Sequence, residues 1–385
     1  MQKLTKVNPY PSILVSSTVV SYEKPDCVYI PITNGSNFVV KKDDSVSIGT
    51  PLLKTKNSIT TSPISGKVHA ITKMLTNQGL VDTLEIINDF KEKTVIDPIL
   101  KNNLKNIKKD KLQSLLRTYF KLDFTNKKHL ILNCIDDEPY VFTESFYLLL
   151  YYEGYLELLD KLAKIYDIPM ITICLKSTSS ENISKLMECL GMYPNITLNI
   201  VPDLYLLGRE SMLLQYLNLA PSNSLVIKAH HFYHVHNLIL RNRQISDKLI
   251  TISGTAVKNP SVVRVKIGTK LKDCLEGVIT TTGSELIYLA GGLMQGKIIN
   301  LENFIITEDL TGLIIMPKKE EPVAGKCLNC GACIDICPVG INPLLLKEPN
   351  YYEQVKDKCI SCGLCSYICP SFINFNEYLE GGHHE

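Results

Sequence analysis

With 385 residues, 45% of them hydrophobic, the chain is long enough for several domains with their own cores, and extended disorder is excluded over most of it. Its 41 basic and 39 acidic residues leave a formal net charge of +2, which gives no global attraction to nucleic acid or to an anionic membrane. No run approaches the roughly 18 consecutive apolar residues that span a bilayer, and the opening MQKLTKVNPYPSILVSS lacks the apolar stretch of an export signal, so the sequence predicts a cytoplasmic protein.

From about Val19 to Ile87, β-rich runs (CVYIPI, FVV, SVSI, GKVHAI, DTLEII) alternate with turn residues, which predicts an all-β module over residues 1–95. KKDDSVSIGTPLL and SPISGKVHAI repeat strand–turn–strand logic, and the module resembles the barrel-sandwich hybrid of biotinyl and lipoyl carriers. In residues 96–128, Lys105, Lys108, Lys109, Lys111, Arg117, Lys121, Lys127 and Lys128 surround Leu112, Leu115, Leu116, Tyr119 and Phe120. The helical spacing of those apolar positions predicts one basic amphipathic helix. Across 129–247, HLILNC, PMITICL and ITLNIVP read as strands, and TESFYLLLYYEGYLELLDKLAKIYD and SENISKLMECLG as helices. That alternation predicts a parallel sheet in an α/β domain. HHFYHVHNLILRNR then reads as a helix with His230 and His234 four apart on one face, a spacing that can bind a metal. No Cys, Asp or Glu lies among them, and an aromatic-rich packed helix explains them equally well. Residues 248–300 return to β structure with KLITISG, SVVRVKIG and the glycine-rich AGGLMQG; 301–325 add short strands and a linker, and 376–385 form a tail.

Eight of the 13 cysteines fall within 326–375, which argues against a disulfide framework; Cys27, Cys134, Cys174, Cys189 and Cys274 are scattered and read as small buried hydrophobes. The eight form CLNCGACIDICPVG (Cys327, Cys330, Cys333, Cys337) and CISCGLCSYICPS (Cys359, Cys362, Cys365, Cys369). Both follow C-x2-C-x2-C-x3-C-P, the run that wraps a [4Fe–4S] cluster with three thiolates and, in two-cluster proteins, sends the fourth to the other cluster. The expected ligand sets are therefore Cys327, Cys330, Cys333 and Cys369 for one cluster, and Cys359, Cys362, Cys365 and Cys337 for the other. Zinc sites use C-x2-C pairs separated by a longer loop, without the third cysteine, the Cys-Pro or the duplication.

With these runs in place, the chain resembles over nearly its full length the C subunit of the Rnf electron transport complex, an ion-translocating ferredoxin:NAD oxidoreductase. The β module resembles that family's N-terminal barrel-sandwich domain. ILNCIDDEPYVFTES is similar to its Asn…Glu-Pro-Tyr segment, through Asn133, Glu138, Pro139 and Tyr140, and VPDLYLLGRE to its Pro-x-x-Tyr-Pro-x-Gly region, through Pro202, Tyr205, Gly208 and Glu210. ITISGTAVKNPSVVRVKIGT resembles its soluble-ligand-binding β-grasp domain, and AGGLMQG its Gly-Gly-Pro-Met-Met-Gly loop. The fold class implied is a multidomain α+β and α/β chain ending in a ferredoxin-type 2[4Fe–4S] domain. The resemblance assigns FMN and NADH binding to a Gly-rich loop ahead of the Asn…Glu-Pro-Tyr strand. No Gly occurs here between Gly79 and Gly154, which puts FMN and NADH in doubt and leaves Asn133 and Glu138 as remnants of a nucleotide site. The expected function is an electron relay through two clusters, peripheral at the cytoplasmic face of a membrane complex. Its expected partners are the other subunits and a ferredoxin or flavodoxin, which the basic helix could dock, with no nucleic acid. The competing readings are a complete NADH-oxidising flavin subunit and an adaptor for a soluble reductase such as proline reductase.

Overall fold

A computed structural model describes residues 18–96, 107–318 and 323–379. Lys105 of the basic segment and the terminal GGHHE lie outside the described residues.

Strand β1 (Val19–Tyr22) is followed by β2 (Cys27–Pro31), β3 (Asn37–Phe38), β4 (Ser45–Val46), β5 (Pro51–Lys54), β6 (Ile59–Thr61), β7 (Gly66–Thr76) and β8 (Gly79–Asn88). Strands β2 to β8 form two layers, one sheet in the order β2-β8-β7-β4 and another in the order β3-β5-β6. Alternation along β7 sends Val68 and Met74 inward and Lys67, His69 and Lys73 outward, as a half-buried strand requires. Val28, Ile30, Leu52, Leu53, Val68 and Ile86 share the resulting core.

The α/β domain runs α1 (Lys109–Phe120), β9 (His129–Asn133), α2 (Thr143–Tyr166), β10 (Met170–Lys176), α3 (Ser180–Cys189), β11 (Ile196–Val201), α4 (Glu210–Tyr216), β12 (Ser224–Lys228) and α5 (Ala229–Arg241). Its strands are all parallel, in the order β11-β10-β9-β12. Parallel sheets are covered on both faces, and the central strand here is apolar through most of its length. Leu130 and Leu132 of β9 face α2 and α5, while Ile131 faces Leu207, Leu213 and Leu214 on the side of α4. Helix α1 buries Leu112, Leu115 and Leu116 and ends at Lys121, which takes a left-handed φ of 57°. Two of its basic groups are paired within the chain, Lys109 with Asp167 at 3.2 Å and Arg117 with Asp123 at 2.8 Å.

The third unit contains β13 (Asp247–Ser253), β14 (Ser261–Lys266), α6 (Leu271–Glu276), β15 (Leu286–Ala290), β16 (Lys297–Ile298) and β17 (Gly312–Pro317), in one sheet ordered β1-β14-β13-β17-β15-β16. Two assignments differ from the sequence-based expectation. Strand β1, expected within the N-terminal module, pairs in parallel with β14, Val19 opposite Val262, and so covers an otherwise open edge. Strand β17, expected as a short strand of 301–325 outside the β-grasp domain, lies inside this sheet between β13 and β15, because every residue of β13 is buried and needs a neighbour on each side. Four short helices, α7 (Ala332–Ile336), α8 (Pro349–Val355), α9 (Leu364–Ile368) and α10 (Asn376–Leu379), lie in the cysteine-rich unit.

Candidate iron–sulfur centres and the neighbouring crevice

The two cysteine runs share one local backbone. Asn329 and Ser361 take φ of 52° and 48°, and Gly331 and Gly363 take 75° and 74°, so each run curls through two left-handed positions before α7 or α9 begins. Each fourth cysteine sits past its helix in extended conformation, Cys337 at ψ 117° and Cys369 at ψ 115°. Pro338 and Pro370 impose this, because a residue before proline avoids the helical region. The extended step carries the fourth cysteine to the opposite run. Cys369 joins Cys327, Cys330 and Cys333 around one cavity backed by Leu344, Ile373 and Phe375. Cys337 joins Cys359, Cys362 and Cys365 around a second, backed by Val339, Ile341 and Leu346. The donor set is all thiol and the walls are apolar, which suits an iron–sulfur cluster. Burial pushes the Cys365 thiol up to about 12, so a ligand that brings positive charge is what would ionise it.

The two runs differ in surroundings. Cys327 and Cys330 are exposed, and a Cβ added at Gly331 would meet nothing within 4 Å. The second run is pressed into the body of the protein, and a Cβ at Gly363 would collide with the Met294 carbonyl oxygen. Tyr205 Oη donates to the Cys362 carbonyl at 2.7 Å and accepts from Gln295 Nε2 at 2.9 Å. Arg209 donates in turn to Gln295. Glu138 Oε2 accepts the Met294 backbone N–H at 2.8 Å, and a Cβ at Gly292 would collide with the Glu138 side chain. Burial raises the Glu138 carboxyl above its ordinary range. The close approach that AGGLMQG requires is therefore made to Glu138 on one side and to the Cys362–Gly363 turn on the other.

Asn133 lies elsewhere, at the carboxyl end of β9, where the order of the parallel strands reverses between β9 and β12. Nucleotides bind doubly wound sheets at such a point. Its Nδ2 donates to the Gly208 carbonyl at 2.7 Å and its Oδ1 accepts the Ile135 N–H at 3.1 Å. Asp137 accepts the Gly208 N–H at 2.7 Å, and Lys228 Nζ donates to the Ile135 carbonyl at 3.0 Å. Asp136 accepts the backbone N–H groups of Glu144 and Ser145, at 2.7 and 3.0 Å. Glu144 accepts the His230 backbone N–H at 3.1 Å and pairs with the His230 ring. Burial and the nearby Glu144 charge push the Asp136 carboxyl up to about 6. Burial also opposes ionisation of Glu144, but His230 outweighs it and holds that carboxyl at about 2. The acid that meets His230 thus comes from α2, not from its own helix. His234 is buried apart from it, and among the described residues no group of His, Cys, Asp and Glu gathers closely enough to hold a single metal ion. Asn133 and Glu138, expected together as remnants of one nucleotide site, serve two separate contacts. The sequence marks His230 only through its spacing to His234, and nothing local marks its pairing with Glu144.

Residues 114–238 match the family model described as Nuo51 FMN-binding domain, 249–278 the SLBB domain, and 326–373 the 4Fe-4S dicluster domain. The chain is 21% identical over 362 residues to the C subunit of the Na(+)-translocating ferredoxin:NAD(+) oxidoreductase complex of Acetobacterium woodii, covering 85% of this chain and 82% of that protein. It is 22% identical over 232 residues to the C subunit of the ion-translocating oxidoreductase complex of Rhodobacter capsulatus, covering 57% of this chain and 44% of that protein, so it spans less than half of that relative. A solved NAD+-reducing [NiFe]-hydrogenase aligns with 66% of this chain and 56% of its own at 15% identity and a TM-score of 0.47. The first family match runs against the doubt about FMN raised by the missing glycines. The crevice residues can be tested directly for fit to a flavin phosphate, which needs free backbone N–H groups. The Glu144 and Ser145 amides of α2 already donate to Asp136 and the His230 amide of α5 to Glu144, and the described residues 107–128 contain no glycine, so the glycine-rich cradle is missing and carboxylates take these three amides. With a flavin-type α/β domain, an SLBB segment and a dicluster domain in this order, the chain is a homologue of the C subunit of Rnf-type ion-translocating oxidoreductase complexes.

Proposed function

We propose that this chain is the iron–sulfur electron-transfer subunit of an Rnf-type complex and that each cysteine cavity takes one [4Fe–4S] cluster. The observation that carries the reading is the crossed lining, with Cys369 in the first cavity and Cys337 in the second. The first cluster would be held by Cys327, Cys330, Cys333 and Cys369, the second by Cys359, Cys362, Cys365 and Cys337. Each cluster takes up and gives back single electrons. The chain's own residues supply the apolar walls and, for the second cluster, the contact through Tyr205 and Met294 that fixes it against the body. Exposure of Cys327 and Cys330 makes the first cluster the natural contact for a one-electron partner such as a ferredoxin or flavodoxin. Attachment at the cytoplasmic face belongs to the same reading, as do a barrel-sandwich N-terminal module and a β-grasp third unit.

Anaerobic reconstitution should yield about eight iron and eight sulfide per chain. Stoichiometric zinc with little iron would defeat the assignment. In Cys337→Ser, electron paramagnetic resonance should show the Cys359-side cluster damaged and the Cys327-side cluster intact; the reverse pattern would remove crossed ligation.

A second reading, an NADH-oxidising flavin subunit, is favoured by the match to the FMN-binding domain over residues 114–238. NADH delivers a hydride, and one-electron clusters need a flavin to split it. Bleaching of the clusters by NADH without another flavoprotein would therefore favour this reading.

A further inference from the structure

We propose that the crevice at the carboxyl ends of β9 and β12 is sealed by the chain itself, so that this flavin-type domain is a scaffold which binds neither FMN nor a dinucleotide. The inference deepens the relay reading by naming what replaces the cofactor.

The seal has a phosphate end and a ring end. At the phosphate end, two helix N-termini point into the crevice, and the residue preceding each, Phe142 before α2 and Lys228 before α5, provides no side-chain cap. Such ends attract an anion through free amides and the helix dipole. Here the anions come from other parts of the fold. Asp136, in the loop after β9, takes two amides of α2 and the Ser145 hydroxyl at 2.6 Å, while Glu144 of α2 takes the His230 amide of α5. A phosphate would have to displace these carboxylates, and if it did not it would meet their charge. Lys228, the cation at the mouth, donates to the Ile135 carbonyl and lies 3.9 Å from Asp137.

At the ring end, the loop following β11 closes onto the loop following β9. Gly208 is held by both its backbone groups, its carbonyl by Asn133 and its N–H by Asp137, each at 2.7 Å. Even a Cβ at Gly208 would lie 2.7 Å from the Asp137 carboxylate and from the Ile135 carbonyl. The two loops are in direct hydrogen-bond contact, which leaves no gap between them for a planar ring.

The test uses the full chain, reconstituted with clusters, and measures flavin released by acid alongside saturable quenching of added FMN. The expected results are no stoichiometric flavin and no saturable quenching with FMN at a hundredfold excess. In Asn133→Ala, which unties Gly208, the unfolding midpoint should fall while flavin content stays at zero. Stoichiometric flavin in the parent chain, saturable FMN binding, or loss of a bound flavin in Asn133→Ala would each overturn the proposal. Iron and sulfide are counted on the same preparation. Missing clusters without flavin would strike the relay reading, whereas full clusters with flavin would strike this inference alone.

Discussion

Gly331 and Gly363 carry nearly the same φ, 75° and 74°, in the same motif, yet only Gly363 is pressed against a neighbour. A side chain at either position meets a backbone strain on the order of 1–3 kcal/mol. At Gly363 it must also push aside the Met294 carbonyl, which itself belongs to the loop anchored by Glu138. Gly363→Ala should therefore lower the thermal midpoint of the cluster-loaded protein more than Gly331→Ala, and should selectively release the second cluster, as followed by visible absorption. Equal effects would mean that the contact with Met294 carries no energetic weight. Asn133→Ala acts by a related route, since it leaves the Gly208 carbonyl and the Ile135 N–H without their partner, a loss on the order of 1–3 kcal/mol for a buried group.

At the scale of elements, α5 buries three imidazoles, His230, His234 and His236, in the α/β domain. Burial holds His234 at about 3 and His236 at about 4. Their folded values lie below the ordinary value near 6.5, so the unfolded chain binds more protons as pH falls. The stability these histidines contribute is fully present above about pH 6.5 and is lost as pH drops toward 4 and 3. Glu144 acts in the same direction at lower pH, its contribution being present above about 4.3 and lost toward 2. Asp136, held up at about 6, works the other way between about 4 and 6. His231, held at about 4, acts with His234 and His236, and the raised Glu138 and Asp273 carboxyls act with Asp136. The interval from pH 7 to pH 5 spans the ordinary imidazole value near 6.5 and lies above the ordinary carboxyl values, so the imidazoles dominate it. The unfolding midpoint, followed by the emission of tyrosines such as Tyr147, Tyr155 and Tyr233, should therefore be lower at pH 5 than at pH 7. His234→Leu should flatten that decline; an unchanged slope would mean that this imidazole does not set it. On α1 the expected docking face is partly engaged already, since Lys109 and Arg117 have acidic partners within the chain.

For the whole molecule, the cysteine-rich unit is not a pendant domain. Tyr205, Met212, Met294, Cys362 and Leu364 form one apolar cluster that joins it to the α/β domain and to the loop preceding β16. Among the described residues no helix is long and apolar enough to cross a membrane. Under the relay reading the chain is held at a membrane complex through contacts with other subunits, which high salt or mild alkali disrupts. In fractionated cells the chain should leave the membrane pellet in a salt or alkaline wash, and a requirement for detergent would contradict this.

The thiol lining of the two cavities was legible in the sequence because three of the four cysteines at each are neighbours along the chain, and the Cys-Pro step directs the fourth by a local backbone restriction. The parallel α/β layer was legible for a similar reason, since hydrophobic period and element order are properties of short segments. Pairings between distant segments were not legible. The joining of β1 to β14, the insertion of β17 beside β13, and the meeting of Glu138 with the loop that touches Gly363 all depend on which buried backbone groups remained without partners once the local elements had formed. The missing glycines were visible before the fold was known, but they could only say that a phosphate lacked its usual loop. That Glu144 of α2 takes an amide at the start of α5 was decided by tertiary structure alone, because the two helices had to pack together before a carboxylate on one could reach the backbone of the other.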